Sequence, residues 1–480
     1  MLLFTFFLML FVNAHMRTKL TALAPDKGLS PRDFVKGELL NRKAYFSAEF
    51  VVGSDNDTVR VWVGTGLNLL WFPTYLCFYY YSYKRDTLYD LLRCQSGGVY
   101  SPASLSSFLN TTKVFHYENV FTSRYARGYF GTDVIEYGDF RGNITFGIGT
   151  NTSFVGQLGL GFPSNALASS EATLNQPSFL EQLVENGHIQ SNAYSFQMGL
   201  NNASEGTLLL GAVDHAEYEE PLQKVRMVDM FLGGPSSVLI LFDGFLGNGF
   251  NSDVNIPIEI SMEYTGLSFP YGSIDGILEY LEVENDDFGN YLVQCNLLNL
   301  TELISFYFSG VEIQVPVRNL VSQVSSGFCV LSIIEGPGLA YIGGDILKSA
   351  YYVVDLNNKE VALAQAKNSS NENIEDIIST IPLALEAPLY SYTNVAKKYS
   401  YETSEWFTSL YKVPHRPKYS TNTGSRSVDW GNTTYRLEFS TSSDYYGYWA
   451  SRNGGEQGTG IESGLSTLAL LLIQLLSTLL

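Results

Sequence analysis

From Tyr45 onward, apolar and polar residues alternate in short runs broken by turn residues. Ala44–Gly53, Val59–Gly64 and Leu67–Phe72 are the first such runs, and similar ones continue to about Ala366. A period of two places successive side chains on opposite faces of a strand, so the pattern predicts a mainly β body. Helical spacing is rare. In Pro177–Gly187, Phe179, Leu180, Leu183 and Val184 share one face, and Gly187 closes the segment. In Tyr271–Val283, Ile274, Ile277, Leu278 and Leu281 fall in register.

The two ends break this pattern. Residues 1–14 combine an apolar run, Leu2–Val12, with a small-residue exit at Val12-Asn13-Ala14, as in a secretory signal peptide. Residues 15–43 are polar and contain Pro25 and Pro31, which reads as a propeptide-like arm. Residues 367–453 shift to Ser, Thr, Asn and Tyr and read as a stalk, with Thr433–Trp449 able to add strands. Asn453, Gly454 and Gly455 are small, a polar spacer follows, and Leu465–Leu480 is apolar. That order predicts a GPI-attachment signal over 454–480 with Asn453 as the attachment site, and hence a membrane tether.

Composition narrows the chemistry. The 480 residues are 45% hydrophobic and 16% charged, enough to bury a large core. Tyr (32) and Phe (30) are abundant, which favours strands. The net charge of −19 repels nucleic acid, so no nucleic-acid partner is expected. A chain passing through an oxidising compartment pairs its cysteines, and four allow three connectivities. The near pairs, Cys77–Cys94 and Cys295–Cys329, would each staple a local loop. Sequons at Asn56, Asn110, Asn143, Asn151, Asn202, Asn299, Asn368 and Asn432 predict a glycosylated surface protein.

Four segments carry a resemblance. Tyr341–Ala366 has a Gly-Asp turn leading to a short helix and two strands. Gly206–Tyr218 is similar to a lobe-joining segment, Phe179–Met198 to a helix and the strand after it, and Gly156–Phe162 to a cradle for a catalytic loop. In this order and spacing they resemble the pepsin-like aspartic proteases, in particular the fungal yapsin and candidapepsin group. The resemblance spans Tyr45–Ala366. It implies a bilobal β fold, with an N-terminal lobe over 44–215, a C-terminal lobe over 216–366 and a substrate cleft between them.

It also implies one Asp per lobe, each in an Asp-Thr/Ser-Gly loop. One carboxylate takes a proton from water and the other donates to the carbonyl. Close carboxylates divide these roles because both cannot ionise cheaply. This chain departs at both places. Thr65, Gly66 and Trp71 match the first loop, but Gly64 stands where Asp belongs. Counting back from Pro270, Thr265 matches the second loop, while Ser261 stands in the Asp place and Met262 and Glu263 replace the small residue and Gly. Asp243-Gly244 reads as a hairpin turn rather than a substitute. The flap's Tyr-Gly-Asp-Gly run is replaced by Asn119–Arg124, and Tyr117 reads as a surface strand residue rather than a displaced flap tyrosine.

Gly64 cannot titrate, and Ser261 needs an activating base. No nucleophile-elbow pattern accompanies Ser261, and no histidine pair has metal-ligand spacing. Glu263 reads as a surface or salt-bridged glutamate; as a lone carboxylate base it would lack a partner across the cleft. No cofactor or metal is implied. The expectation is a pseudoprotease at the outer membrane face or cell wall, whose cleft binds a peptide or partner protein. The alternatives are an active yapsin-like endopeptidase and a structural surface glycoprotein.

Overall fold

The computed structural model describes residues 16–22, 46–66, 68–75, 95–102, 107–119, 124–138, 140–162, 175–198, 205–228, 237–264, 266–285, 290–325, 327–336, 340–367, 369–390, 407–414 and 432–439. These residues are mainly β, with three short α-helices among them. The first helix, α1 (Phe179–Glu185), starts at a reciprocal cap. The Ser178 hydroxyl accepts from the Glu181 N–H, and the Glu181 carboxylate accepts from the Ser178 N–H. Gly187 then closes it at φ +72°, a conformation that favours glycine. The second, α2 (Asp275–Tyr280), is shorter than the pattern suggests, but Ile274, Ile277 and Leu281 are buried as expected. The third, α3 (Gly344–Leu347), begins with the Gly-Asp pair itself, Gly344-Asp345, rather than after it.

Two sheets build the lobes. A fourteen-stranded sheet runs from the hairpin Leu109–Asn119/Arg124–Tyr137 through the N-terminal lobe to a platform that joins both lobes. In that platform, Ala350–Asp355 of the C-terminal lobe pairs with Ala193–Met198 of the N-terminal lobe, and Glu360–Gln365 pairs with the far edge of Ala350–Asp355. A seven-stranded sheet forms the body of the C-terminal lobe around Leu239–Gly247 and Phe250–Ile260. One continuous apolar core, from Phe46 and Phe50 to Phe242 and Phe306, runs beneath both. The expected bilobal β fold is therefore present.

Several elements differ from expectation. The arm over 15–43 begins as a strand: Met16–Ala22 lies between Glu205–Leu210 and Phe46–Val52 in the large sheet. Asp243-Gly244 is not a turn but a bulge inside the strand Leu239–Gly247, where Asp243 accepts from the Gly310 N–H at 2.7 Å. The turn of that hairpin falls at Asn248-Gly249 instead. Tyr117 is not on the surface; it is 1% exposed and packs against Phe154. The Cys295–Cys329 bond, by contrast, is present as expected, while Cys77 and Cys94 lie outside the described residues.

The body also extends past the expected boundary at Ala366. Ile374–Asp376 pairs with Ala212–Asp214, and Leu385–Glu386 pairs with Gln223–Arg226. Ile377 and Ile381 are buried, and the Tyr390 hydroxyl donates to Glu360 beneath the Lys224 and Arg226 cations. The polar composition of this stretch conceals two apolar anchors. Burying two isoleucines is worth about 3–6 kcal/mol. A chain truncated after Ala366 is therefore expected to melt at clearly lower temperature than one ending after Tyr390, as read by thermal unfolding. Equal melting temperatures would show that this segment contributes nothing to the body.

Candidate active site

Both lobes build their loops in the same way. In the N-terminal lobe, strand Asp57–Gly64 runs parallel to Gln157–Gly159, with Val63 opposite Leu158. The chain turns and returns antiparallel as Leu70–Pro73 on the other edge of the same short strand. The Leu160 N–H donates to the Gly64 carbonyl at 2.7 Å, and the Gly159 N–H to the Leu69 carbonyl at 2.8 Å. In the C-terminal lobe, Phe250–Ile260 runs parallel to Ala340–Ile342, with Ile260 opposite Ile342, and returns antiparallel as Leu267–Phe269. Gly343 seats this second loop. A Cβ there would come within 2.4 Å of the Tyr264 and Gly266 carbonyl oxygens, so only glycine fits. Gly64 is the last paired residue of its strand, opposite Gly159, and Ser261 directly follows Ile260, the last paired residue of the other strand.

The two loops meet in the interior. The Thr65 hydroxyl donates to the Ile260 carbonyl at 2.6 Å, and both groups are shut off from solvent. This bond places Gly64 and Gly66 of one lobe against the residues flanking Ser261 of the other.

The centre of that junction is not apolar. A Cβ added to Gly64 would stand 2.3 Å from Glu263 Oε1 and 2.5 Å from Gln157 Nε2. A Cβ added to Gly66 would stand 3.5 Å from Glu259 Oε1 and 3.8 Å from Glu263 Oε1, an ordinary contact distance. Gln157, 1% exposed, donates from Nε2 to Glu263 Oε1 at 3.0 Å, while its Oε1 has no partner. Burial pushes the Glu259 carboxyl up from about 4.5 to about 8, and the Glu263 charge beside it adds to the rise. Glu263 is thus not a lone carboxylate: it reaches across to the Gly64 loop and has Glu259 for a neighbour.

The remaining candidates divide. Ser261 is buried, and its Oγ accepts the Glu263 N–H at 3.2 Å. Histidines approach other groups: His116 pairs with Arg127, His188 packs on Phe140, and His215 bonds Tyr218 and Glu375. Among the described residues, no group of three His, Cys, Asp or Glu is placed to hold a metal ion. Thr265, Asn202, Asn368 and Asn453 lie outside the described residues. Asn56, Asn110, Asn143 and Asn299 are exposed, whereas Asn151 is half-buried and its Oδ1 accepts from the Tyr125 hydroxyl at 3.2 Å. Asn432 opens the strand Asn432–Phe439.

Two residues of the junction, Glu259 and Gln157, are not singled out by motif. Glu259 does leave a trace, as the one charge in the apolar run Ile256–Ile260 just before the loop. Gln157 stands on the cradle strand and carries no sequence signal of its own.

Comparison with known proteins fits this architecture. The family model for eukaryotic aspartyl proteases matches residues 44–366. The chain is 29% identical over 391 residues to aspartic proteinase yapsin-3 of Saccharomyces cerevisiae, covering 76% of this chain and 74% of that protein. It is 30% identical over 353 residues to a probable aspartic-type endopeptidase of Arthroderma otae, covering 67% of this chain and 71% of that protein. Secreted aspartic protease 10 of Candida albicans is 26% identical over 397 residues, with 78% and 83% covered. The chain therefore belongs to the pepsin-like eukaryotic aspartyl protease family, on the side of the yeast yapsins and the Candida secreted proteases.

The Glu259 environment sets a pH dependence of stability. Below about pH 4.5 the carboxyl is protonated in the folded and unfolded chains alike and costs nothing. Between about 4.5 and about 8 the unfolded chain sheds this proton while the folded chain keeps it, so stability falls as pH rises. Thermal unfolding across this window is expected to show the fall in the native chain and a shallower slope in Glu259→Gln. An unchanged slope would mean that Glu259 does not titrate in this way.

Proposed function

We propose that this protein is an aspartic-protease homologue catalytically inactive by the family's aspartate mechanism, held at the cell surface, whose inter-lobe cleft binds a peptide or partner protein. The observation that carries the reading is a retained scaffold around a missing pair. Thr65, Gly66 and Gly343 keep their loop-building roles, while the places where the family motif has aspartate hold Gly64 and Ser261. A glycine has no group to titrate, and a serine without an activating base does not take a proton from water. The family's acid–base route is absent on this reading, whereas the backbone that would align a peptide is kept. The secretory relatives, the N-terminal apolar run and the C-terminal signal around Asn453 support display through a GPI anchor on the outer face of the plasma membrane or in the wall.

Peptide binding tests this directly. Gly66 accepts a side chain without backbone strain, because a Cβ there meets only Glu259 and Glu263 at contact distance. Gly66→Phe is therefore expected to fill the junction while the fold persists. Full-length chain is expected to retain peptides from a random library, and Gly66→Phe to weaken that binding by about tenfold or more, a change of roughly 1.4 kcal/mol. Binding that ignores Gly66→Phe would place the ligand elsewhere.

Restoring the pair offers a second test. Gly64→Asp and Ser261→Asp need Glu263→Gly as well, since Glu263 already crowds the side-chain position at 64. The triple variant is expected to hydrolyse peptides at acidic pH about 10²–10⁴-fold faster than the native chain. A native chain that matches the triple variant would refute the loss of function.

A further inference from the structure

A carboxylate oxygen of the opposite lobe lies beside position 64. In an aspartate, two bonds of about 1.5 and 1.2 Å carry a carboxylate oxygen to about 2.4 Å from Cβ. Glu263 Oε1 stands 2.3 Å from the Cβ position of residue 64. It thus lies as far from that point as an oxygen of Asp at 64 would. Gln157 holds it there with a 3.0 Å hydrogen bond from a buried strand. The oxygen of that amide, also buried, accepts no hydrogen bond. Glu259 faces the same glycine loop, with Oε1 3.5 Å from the Cβ position of Gly66. Both glutamates are largely withdrawn from water but keep some exposure to solvent.

We propose that Glu263 and Glu259 form a replacement acid–base pair at the lobe junction and give the cleft a slow peptide-hydrolysing activity. This goes beyond the binding role and does not use the family's aspartate positions. The balance is that of simple hydrolysis. A water O–H proton passes to the Glu263 carboxylate as the water oxygen bonds to the peptide carbonyl carbon. The Glu259 carboxylic acid gives its proton to the carbonyl oxygen. When the C–N bond breaks, its electron pair stays on nitrogen, which takes the proton from Glu263. A hydroxyl of the intermediate returns a proton to Glu259, leaving a carboxylic acid and an amine. The raised carboxyl of Glu259 suits the donor role, because it keeps its proton up to about pH 8.

The test is peptide hydrolysis by the full-length chain over long incubations from pH 3 to 9. A mixture of defined peptides serves as probe, with new ends read by mass spectrometry in ¹⁸O-labelled water. Slow cleavage with one ¹⁸O in each new carboxyl is expected, declining above about pH 8 as Glu259 loses its proton. Glu263→Gln and Glu259→Gln are each expected to lower the rate by about 10²–10⁴-fold. Glu263→Asp keeps the charge but withdraws the oxygen from Gly64, and the same loss is expected. Thermal unfolding and peptide retention measured on each variant separate lost chemistry from lost folding. Cleavage that persists in all three folded variants would overturn the pair. A native chain that retains peptides but cuts none would also overturn it, while leaving the binding reading intact. A native chain that neither retains nor cuts peptides would overturn both.

Discussion

The hydroxyl of Thr65 donating to the carbonyl of Ile260 couples the two halves of the molecule. It is formed in the interior, where an unmade hydrogen bond costs about 1–3 kcal/mol, so neither lobe can shift far without leaving a buried group unsatisfied. Around it each lobe repeats one construction: a strand ends, a loop turns over a short parallel strand, and the chain returns on that strand's other edge. This construction is made of backbone bonds and glycines, and none of it requires a carboxylate. Such a scaffold can stand without a carboxylate at its centre, and Gly64 and Ser261 sit inside it here.

Removing a side chain at the junction leaves space and changes the charge balance. Gly64 opens room that the Glu263 carboxylate occupies from the other lobe, steadied by Gln157. With Glu259 beside it, two carboxylates share a poorly hydrated place, and the Glu259 carboxyl rises to about 8 as a result. The site is thus altered rather than emptied. Its acidity now comes from one lobe alone, from residues 259 and 263 on either side of Ser261.

Local features of the fold were legible in the sequence because local rules govern them. Alternation marked the strands, the shared face of Phe179, Leu180, Leu183 and Val184 with Gly187 marked α1, and the Gly-Asp pair announced α3. What escaped was set by distant contacts. The pairing of Met16–Ala22 with residues near 205–210, and the seating of Ile377 and Ile381, depend on partners far along the chain. Tyr117 looked like a surface residue because strand alternation does not say which face is covered. At the site, spacing from Pro270 placed Ser261, and the pattern around Thr65 placed Gly64. The approach of Glu263 to Gly64 across about 200 positions has no local signature, and Glu259 left only a charge in an apolar run.

The most direct test of the account is an experimental structure of the full-length chain with a peptide bound. The account predicts a peptide lying between the lobes over Gly66, with Gly64 and Ser261 beneath it and no aspartate at either position. Glu263 should then supply the oxygen nearest to Gly64. A pair of aspartates facing the peptide, with Asp243 drawn out of its bulge as one of them, would contradict it.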